Sequence, residues 1–524
     1  MTATDQIADS PPGSSHEGSA ARATSAAAST RVSPGDASPA TPDPKRWLAL
    51  GVLALAQLMV VLDASIVNIA LPHAQADLHI TDANRQWVIT AYTLAFGGLL
   101  LLGGRVADYV GRKKVFLIGL IAFAAASALG GIAPNSGLLF VARALQGAAG
   151  ALLAPAALSL ISVTFTEARE RAKAFAVYGT IAGGGSAIGL ILGGVLTEYA
   201  SWRWCLLVNV PIALATFAAA VPLVRESRAQ GKASYDVPGA VLVTLGLVSL
   251  VYGFTKAAEK GVGWSSPTTL ALIGGALVLL ALFVLVEHRS KAPLLPLRVP
   301  GDRNRGGSYL ANLLVGSGLF AMFLFLTFYF QTTLHYSALK AGLAFLPFSG
   351  GIILSAGVTS QLLPRFGPRR LMLTGLVMST LGLLYLTQIS VSSSWVTHVL
   401  PAELLMSLGM GLVFVPLAST ALIGVSGHDA GVASALVNTT QQIGGSLGTA
   451  LLNTIYTTAV TGYLASHALT PAVQRAGLVH GYTVAFTWGA ALLAAALVVV
   501  AIFIRGGAES MKSEPAGEPV AMHA

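Results

Sequence analysis

Long apolar runs recur along most of this chain, and they constrain the fold more than any other feature. From Leu48 onward each run is about 20 residues long, enough for a helix to cross a hydrocarbon core of roughly 30 Å. In lipid the backbone polar groups must pair within the segment, so the spans are predicted to be helices. We predict an all-α membrane protein with fourteen transmembrane helices, at residues 48–70, 88–106, 114–133, 138–162, 175–197, 202–224, 238–257, 268–287, 308–332, 342–362, 370–390, 397–422, 430–455 and 480–504.

The composition agrees with a membrane protein. The chain is 54% hydrophobic and 10% charged, whereas a soluble protein carries roughly a quarter charged residues. The single cysteine, Cys205, excludes an internal disulfide framework and a cysteine-based metal cluster. We predict no cofactor and no metal site. The polar segments 1–46 and 505–524 are predicted to be cytoplasmic tails, the first of them disordered.

The distribution of Lys and Arg predicts the orientation in the membrane. If the N-terminus is cytoplasmic, the inner loops hold 18 of the 31 basic residues and the outer loops hold 6. Basic residues are enriched in cytoplasmic loops, so both termini are predicted to be cytoplasmic. The net charge of +9 then reflects topology, and we predict no binding of nucleic acid. The chain is predicted to be a multi-pass protein of the cell membrane.

Two weak internal sequence similarities indicate a duplicated architecture. The loop at 104–116 resembles 360–372 at an offset of 256, and the stretch "GGSAIG" at 184–189 resembles "IGGSLG" at 443–448 at an offset of 259. Many secondary transporters consist of two such halves with a midplane site between them. We predict two six-helix halves, with two extra helices and a linker between them, at residues 47–224, 308–504 and 225–307 respectively.

Four stretches carry a family resemblance. They are "LDASIVNIALP" (62–72), "GRVADYVGRKK" (104–114), "VARALQGAAGALLAP" (141–155) and "GGGSAIGLILGG" (183–194). With them the chain resembles the major facilitator superfamily, in its fourteen-helix drug:proton antiporter branch, over about residues 47 to 505. The resemblance implies a major-facilitator-type bundle and export of lipophilic small molecules in exchange for protons.

The charged loop between the second and third spans resembles the gating signature of that family. Gly104 and Gly111 are expected to allow a tight turn, and Asp108 and Arg112 are spaced to pair at i, i+4. The resemblance implies that Asp108 also faces the N-terminal end of the helix near residues 429–433, whose dipole favours an anion. A plain positive-inside loop would explain the basic residues but not the acid.

Two charged residues within spans are the predicted proton-coupling pair. A buried arginine costs about 2.5 kcal/mol or more in a membrane, so Arg143 is a functional candidate, with snorkelling to the outer interface as the alternative. A carboxylate in apolar surroundings can exchange protons near neutral pH. Asp63 is therefore the predicted proton carrier, the alternative being a structural acid that caps a neighbouring helix.

The fifth span and the cavity complete the predicted site. The resemblance makes Gly185, Gly189, Gly193 and Gly194 the helix-packing antiporter motif, although Leu190 replaces the family's proline and weakens the inference of antiport. The predicted substrate cavity is lined by Asn68, Gln146, Phe323, Tyr329 and Glu403. Of these, Glu403 is a candidate for binding a cationic drug or a proton, and the alternative is an acid at the membrane interface.

These features predict a proton-coupled exporter of lipophilic drugs or antibiotics that works as a monomer in the lipid bilayer. The chain lacks the P-loop motif GxxxxGK[ST], so a gradient rather than ATP would supply the energy. A facilitator that imports a small metabolite remains an alternative, as does a non-transporting membrane sensor or enzyme. The enzyme reading would require a clustered catalytic set, which is not visible.

Overall fold

The computed structural model describes residues 44–228, 236–259, 261–290, 293–425 and 429–505, and in these ranges the only regular elements are helices. Nearly all of the two predicted tails lies outside the described residues, as does part of the predicted linker. The helices are α1 Arg46–Asp77, α2 Trp87–Val110, α3 Arg112–Gly131, α4 Ser136–Thr164, α5 Ala168–Tyr199, α6 Trp204–Leu207, α7 Asn209–Leu223, α8 Val237–Ala257, α9 Pro267–Arg289, α10 Arg298–Gly301, α11 Arg303–Phe328, α12 Ala338–Ala344, α13 Leu346–Leu386, α14 Leu400–Leu422, α15 Ala430–Ala465 and α16 Pro471–Phe503.

The helices coincide with the predicted spans. Among the described residues, twelve helical segments are long and apolar enough to cross a membrane. One of them, Ala338–Leu386, contains two predicted spans, because the backbone leaves the helical region at Gly367 (φ 74°, ψ 163°). The one remaining predicted span, 430–455, corresponds to α15, which is long enough but more polar. The predicted all-α fold is confirmed.

Short polar side chains fix several helix starts. Asn135 accepts a hydrogen bond from the backbone N–H of Leu138 and so begins α4. Asp302 does the same for Arg305 at the start of α11, and Thr470 for Val473 at the start of α16. These caps satisfy backbone donors that have no partner in the first helical turn.

The helices pack as two groups with the same internal pattern. In the N-group, α1 to α7, α1 packs on α5 and α7, and α4 packs on α2 and α3. In the C-group, α11 to α16, α11 packs on α15 and α16, and α14 packs on both parts of α13. The extra helices α8 and α9 pack on each other, and α8 contacts α2 and α15 at the seam between the groups.

The two groups join mainly at one end, which we call the Trp87 end because α2 begins there; the opposite end is the Gly111 end. Hydrogen bonds between the groups include Gln331 Nε2 to the Ile69 carbonyl (3.0 Å) and the Leu339 N–H to Glu198 (3.2 Å). The buried cluster at this end contains side chains of both groups, from Ile66 and Leu190 to Phe345. In this structure the Trp87 end is closed.

The outer surface of the bundle is apolar. Large side chains such as Leu354 (71% exposed) and Leu270 (57% exposed) point outward from the helices. A soluble monomer rarely exposes so much apolar surface, whereas lipid tails would cover it. The protein is a multi-pass membrane protein.

Candidate functional site

The predicted proton-coupling pair forms in the core of the N-group. Arg143 Nη1 lies 2.7 Å from Asp63 Oδ2, and the two residues are 1% and 0% exposed. The alternative that Arg143 snorkels to an interface therefore does not apply in this structure. The pair joins the middle of α1 to α4.

Amide side chains complete the shell around the Asp63 carboxylate. Gln146 and Asn209 each donate to Asp63 Oδ1 at 2.8 Å. Both amides also donate to the Ser127 hydroxyl, at 2.8 and 3.0 Å, and that hydroxyl donates to the Leu206 carbonyl. Asp63 is thus held by three N–H donors, which suits an ionised carboxylate.

Arg143 is equally well satisfied on its other sides. Its Nε donates to the Val88 carbonyl at 2.9 Å, and its Nη1 also lies 2.7 Å from Gln146 Oε1. The guanidinium carbon lies 4.5 Å from the centre of the Tyr92 ring, within reach of a cation–π interaction. The network therefore connects α1, α2, α3, α4 and α7.

Sequence reasoning did not identify Ser127, Asn209 or Tyr92 as part of this site. Asn209 was detectable, because it is a polar side chain within an apolar span and belongs to the "SWRWCLLVNVPI" stretch (201–212). Ser127 and Tyr92 give no such signal, since serine and tyrosine are common in membrane helices.

The glycines of α5 pack against two different helices, α1 of the same group and α12 of the C-group. A Cβ added at Gly185 would lie 3.1 Å from Leu58 Cδ1, and one at Gly193 would lie 2.8 Å from Ile66 Cγ1. A Cβ at Gly189 would overlap the Ser65 side chain. These three glycines therefore press α5 against α1 around Asp63.

Gly194 lies against the other group. A Cβ there would come within 2.6 Å of Leu339 Cα in α12. Leu190, which replaces the family's proline, is buried in the cluster at the Trp87 end, where its carbonyl abuts Gly342. The α5 motif therefore both holds the N-group together and meets the C-group.

The C-group repeats the α1–α5 contact. Cβ atoms added at Gly444 or Gly448 of α15 would overlap the backbone of α11 at Leu313 and Ser317. These two glycines are the ones matched to Gly185 and Gly189 in the sequence. The sequence similarity between 184–189 and 443–448 thus has a structural counterpart. In both groups a glycine face of one helix packs on the first helix of the group.

The charged loop lies at the Gly111 end. Gly104 lies inside α2, so the turn is made by Gly111 alone, at φ 126°. Asp108 and Arg112 pair across this turn, with Arg112 Nη2 2.8 Å from Asp108 Oδ1. The carboxylate of Glu226, which sequence reasoning did not identify, accepts hydrogen bonds from the Lys113 and Lys114 N–H groups and so caps α3.

The N-terminal end of α15, the predicted second partner of Asp108, engages another residue here. Arg298 forms a forked pair with Asp429, with Nε–Oδ2 and Nη2–Oδ1 distances of 2.9 Å. The hydrogen bond to Asp429 raises the pKa of Arg298 above its usual value. The contact of Asp108 with α15 stays a prediction, because the described hydrogen bonds of Asp108 are to Arg112.

The predicted cavity residues occupy different environments. Gln146 belongs to the Asp63 network, and Asn68 is half-buried with its amide on the Ala64 carbonyl. Phe323 is half-buried, 5.1 Å from the rings of Phe345 and Phe348. Tyr329 is fully buried and donates to the Ser390 carbonyl at 2.8 Å. Glu403 is fully buried in the first turn of α14. In this conformation they do not form one open cavity wall.

A buried arginine at the Trp87 end also escaped sequence reasoning, which placed it in an outer loop. Arg85 is 2% exposed, and its Nε donates to Asn453 Oδ1 at 3.0 Å. Its guanidinium lies 4.1 Å from the Phe328 ring centre and 4.5 Å from that of Tyr456. Asn453 in turn donates to the Asp82 carbonyl at 2.7 Å. Arg85 therefore ties the start of α2 to α11 and α15.

No group of three or more His, Cys, Asp or Glu that could hold a metal ion occurs among the described residues. The charged groups of the site are instead satisfied by one another and by amides.

Comparison with known proteins agrees with this architecture. The Major Facilitator Superfamily model matches residues 53–449. The chain is 50% identical to the puromycin resistance protein pur8 of Streptomyces alboniger, over 88% of this chain and 92% of that protein. It is 41% identical to the cephamycin export protein CmcT of Amycolatopsis lactamdurans, over 80% and 87% of the two chains.

Solved structures agree on the fold alone. The crystal structure of an auto-inhibited peptide transporter of the POT family superimposes with a TM-score of 0.63 at 16% identity, covering 90% of this chain and 99% of that one. Family match, curated relatives and fold point the same way. The chain belongs to the Major Facilitator Superfamily and is a membrane transporter, not an enzyme.

Proposed function

We propose that this transporter exports lipophilic small molecules across the cytoplasmic membrane in exchange for protons, as a monomer with both termini in the cytoplasm. The observation that carries the proposal is the fully buried Asp63–Arg143 pair. Buried ionisable residues in membrane helices mark ion pathways and proton relays, because burying them is otherwise unfavourable.

Protonation of Asp63 would disrupt the network that surrounds it. A neutral carboxyl no longer compensates the buried Arg143 guanidinium, and one of its oxygens becomes a donor facing the amides of Gln146 and Asn209. Leaving a buried charge without its partner costs about 3–5 kcal/mol. Proton binding would therefore shift the protein toward a conformation with a different arrangement of α1, α4 and α7.

The moving units in this proposal are the predicted halves, 47–224 and 308–504, with 225–307 between them. The positive charges at the Gly111 end support a cytoplasmic position for that end. The present conformation, closed at the Trp87 end, would then be closed to the outside. The Asp108–Arg112 pair, with Gly104 and Gly111, would act when the cytoplasmic side closes and Asp108 approaches α15.

The proposed substrate route runs between the two groups. We assign Asn68, Gln146, Phe323, Tyr329 and Glu403 to this route. Aromatic and apolar side chains with a few polar groups suit lipophilic ligands. The two curated relatives are named for resistance to puromycin and for export of cephamycin, so an antibiotic is the first substrate to test.

Radiolabelled puromycin uptake into inside-out vesicles tests the proposal. Wild-type vesicles with an acidic lumen should accumulate puromycin, and a protonophore should abolish the accumulation. Asp63→Asn removes the titratable group and should reduce gradient-driven uptake to background. The matched control is Asp77→Asn, which neutralises an acid at the end of the same helix that pairs with Arg203 at the surface.

Two results would contradict the proposal. If Asp63→Asn vesicles accumulate puromycin at the wild-type rate, Asp63 does not couple transport to protons. If wild-type uptake is insensitive to the protonophore and only equilibrates puromycin, the facilitator alternative holds, as the replacement of the motif proline by Leu190 would allow.

A further inference from the structure

Glu403 is a buried acid that lacks any hydrogen-bond partner in the structure. The residue is 0% exposed, and neither of its carboxyl oxygens has a donor or acceptor within reach. It lies in the first turn of α14, at the Trp87 end of the C-group. Asp63, buried to the same degree, has three donors.

Ala402, Met406 and Met410, on the same helix as Glu403, belong to the large buried apolar cluster. On α14, Met406 packs against Gly382 in the second part of α13, and Ser407 packs against Gly351 in the first part. Exposed Leu404 points away from the bundle. Glu403 lies next to these positions, on a helix that also packs on α11, so its side chain is enclosed by the C-group.

Charged groups on the neighbouring helices are distant from Glu403. The arginines of α11 lie in its first turn, and those of α13 flank the break at Gly367, so both sets are at the Gly111 end; they are Arg303, Arg305, Arg365, Arg369 and Arg370. On α15 the titratable groups are Tyr456, which stacks with Tyr482, and Tyr463, which stacks with His467. His398 of the turn before α14 is bonded to Thr397, and Tyr385 of α13 donates to the Thr397 carbonyl. Tyr309 of α11 donates to the Ala421 carbonyl at the Gly111 end. Tyr329 of the turn after α11 donates to Ser390.

Only the neutral form of Glu403 is compatible with this environment. Burying an ionised carboxylate that has neither a counter-charge nor a hydrogen-bond donor is far less favourable than burying a neutral carboxyl group without a partner. Glu403 therefore holds a proton in this conformation, while the donors around Asp63 favour its ionised form.

We propose that Glu403 is a second proton-binding site, occupied in the conformation in which Asp63 is empty. The inference takes one element from the proposed function, namely that the Trp87 end opens during transport. When it opens, water reaches the first turn of α14 and Glu403 exchanges its proton with that side. Closure of the Trp87 end then requires a protonated Glu403, so protons on that side favour the closed conformation.

Infrared spectroscopy of the purified full-length protein in lipid nanodiscs tests the site without any substrate. At neutral pH the wild type should show a carbonyl band of protonated carboxylic acid, and Glu403→Gln should remove from it the intensity of one carboxyl group. Asp63→Asn should leave this band unchanged, because the Asp63 carboxylate accepts three N–H hydrogen bonds. Glu259→Gln, at a surface acid paired with Lys256, is the matched control.

A second variant separates protonation from misfolding. Glu403→Met replaces the neutral acid by an apolar side chain of similar length, and it should lose the same band while melting at or above the wild-type temperature. If neither Glu403 variant removes the band, or if Asp63→Asn removes it instead, the proposal is wrong. Puromycin uptake is not involved, so a failed transport assay with an intact Glu403 band refutes the proposed export alone.

Discussion

Three buried ionisable side chains show how the groups around such a residue decide what it does. Arg143 has an acid, an amide, a carbonyl and a ring around it. Arg85 has two rings, one amide and, at 3.5 Å, the Asp82 carboxylate, and its Nη2 lacks a hydrogen-bond partner. Glu403 has none. The first arrangement suits a stable coupling centre, the second a contact that breaks, and the third a group that changes its protonation.

The Arg143 network predicts that lysine cannot replace the arginine. An ammonium group could still meet Asp63, but it lacks the planar fork needed to reach Gln146 and the Val88 carbonyl together. Arg143→Lys should lower gradient-driven puromycin uptake about tenfold or more and destabilise the protein by about 1–2 kcal/mol. Initial uptake rates and melting curves measure the two effects.

Arg203→Lys is the control for that substitution, because Arg203 pairs with Asp77 while half exposed to solvent. It should change neither the uptake rate nor the melting temperature appreciably. Wild-type uptake by Arg143→Lys would mean that a positive charge alone is enough at this position.

At the element scale, glycine faces set the distances between helices. Gly185, Gly189 and Gly193 of α5 hold α1, and Gly444 and Gly448 of α15 hold α11 in the same way. Gly194 differs, because it lies against α12 of the opposite group. The two kinds of contact should respond differently to added volume.

Gly194→Ala should loosen the junction between α5 and α12. The new methyl group would lie 2.6 Å from Leu339 Cα, so one backbone must move. We expect faster amide hydrogen exchange in α12, Ala338–Ala344, measured by mass spectrometry. Gly274→Ala is the control, because a Cβ at Gly274 on α9 meets nothing within 4 Å. Unchanged exchange in α12 would show that the junction absorbs the methyl group.

The positions of the helices were predictable because length and apolarity alone define a membrane span. Their ends were less so: α16 begins at Pro471, well before the predicted residue 480, because Thr470 caps a polar first turn that no hydropathy pattern marks. The turn at Gly111 was predicted, but Gly104 proved helical, since its place inside α2 follows from close packing of α2 on α4.

Some residues of the site could also be predicted from the sequence, and others could not. A charge within an apolar span is visible in the sequence, and Asp63 and Arg143 were paired on that basis. Arg85 was assigned to an outer loop and does lie in the turn before α2, but its burial was not predicted, because it depends on Asn453, far away along the chain. That Glu403 has no partner could not be predicted either, since it depends on every helix around it.

For the molecule as a whole, the closed Trp87 end depends on a small number of contacts between the two groups. Arg85 contributes two ring contacts and one hydrogen bond to that closure. A desolvated cation–π contact is worth up to about 2 kcal/mol. The balance between closed and open conformations should therefore depend strongly on this one side chain.

Arg85→Met should shift that balance toward opening, by about tenfold in the ratio of closed to open molecules. Spin labels at Tyr199→Cys and Leu469→Cys, both exposed and one on each group, measure the separation by pulsed electron resonance. Cys205 is buried and is the chain's single cysteine, so Cys205→Ala supplies the background. Exposed Arg475→Met is the control; a distance distribution unchanged by Arg85→Met would contradict the assignment.

The seams between α1 and α5 and between α11 and α15 leave no gap at their glycines. A lipid tail or a detergent chain therefore has no point of entry there, and bilayer forces can act only on the outer faces of each helix pair. A change of membrane thickness or lateral pressure would tilt the pairs as whole bodies. Turnover should then depend on lipid chain length while the contacts inside each seam stay the same.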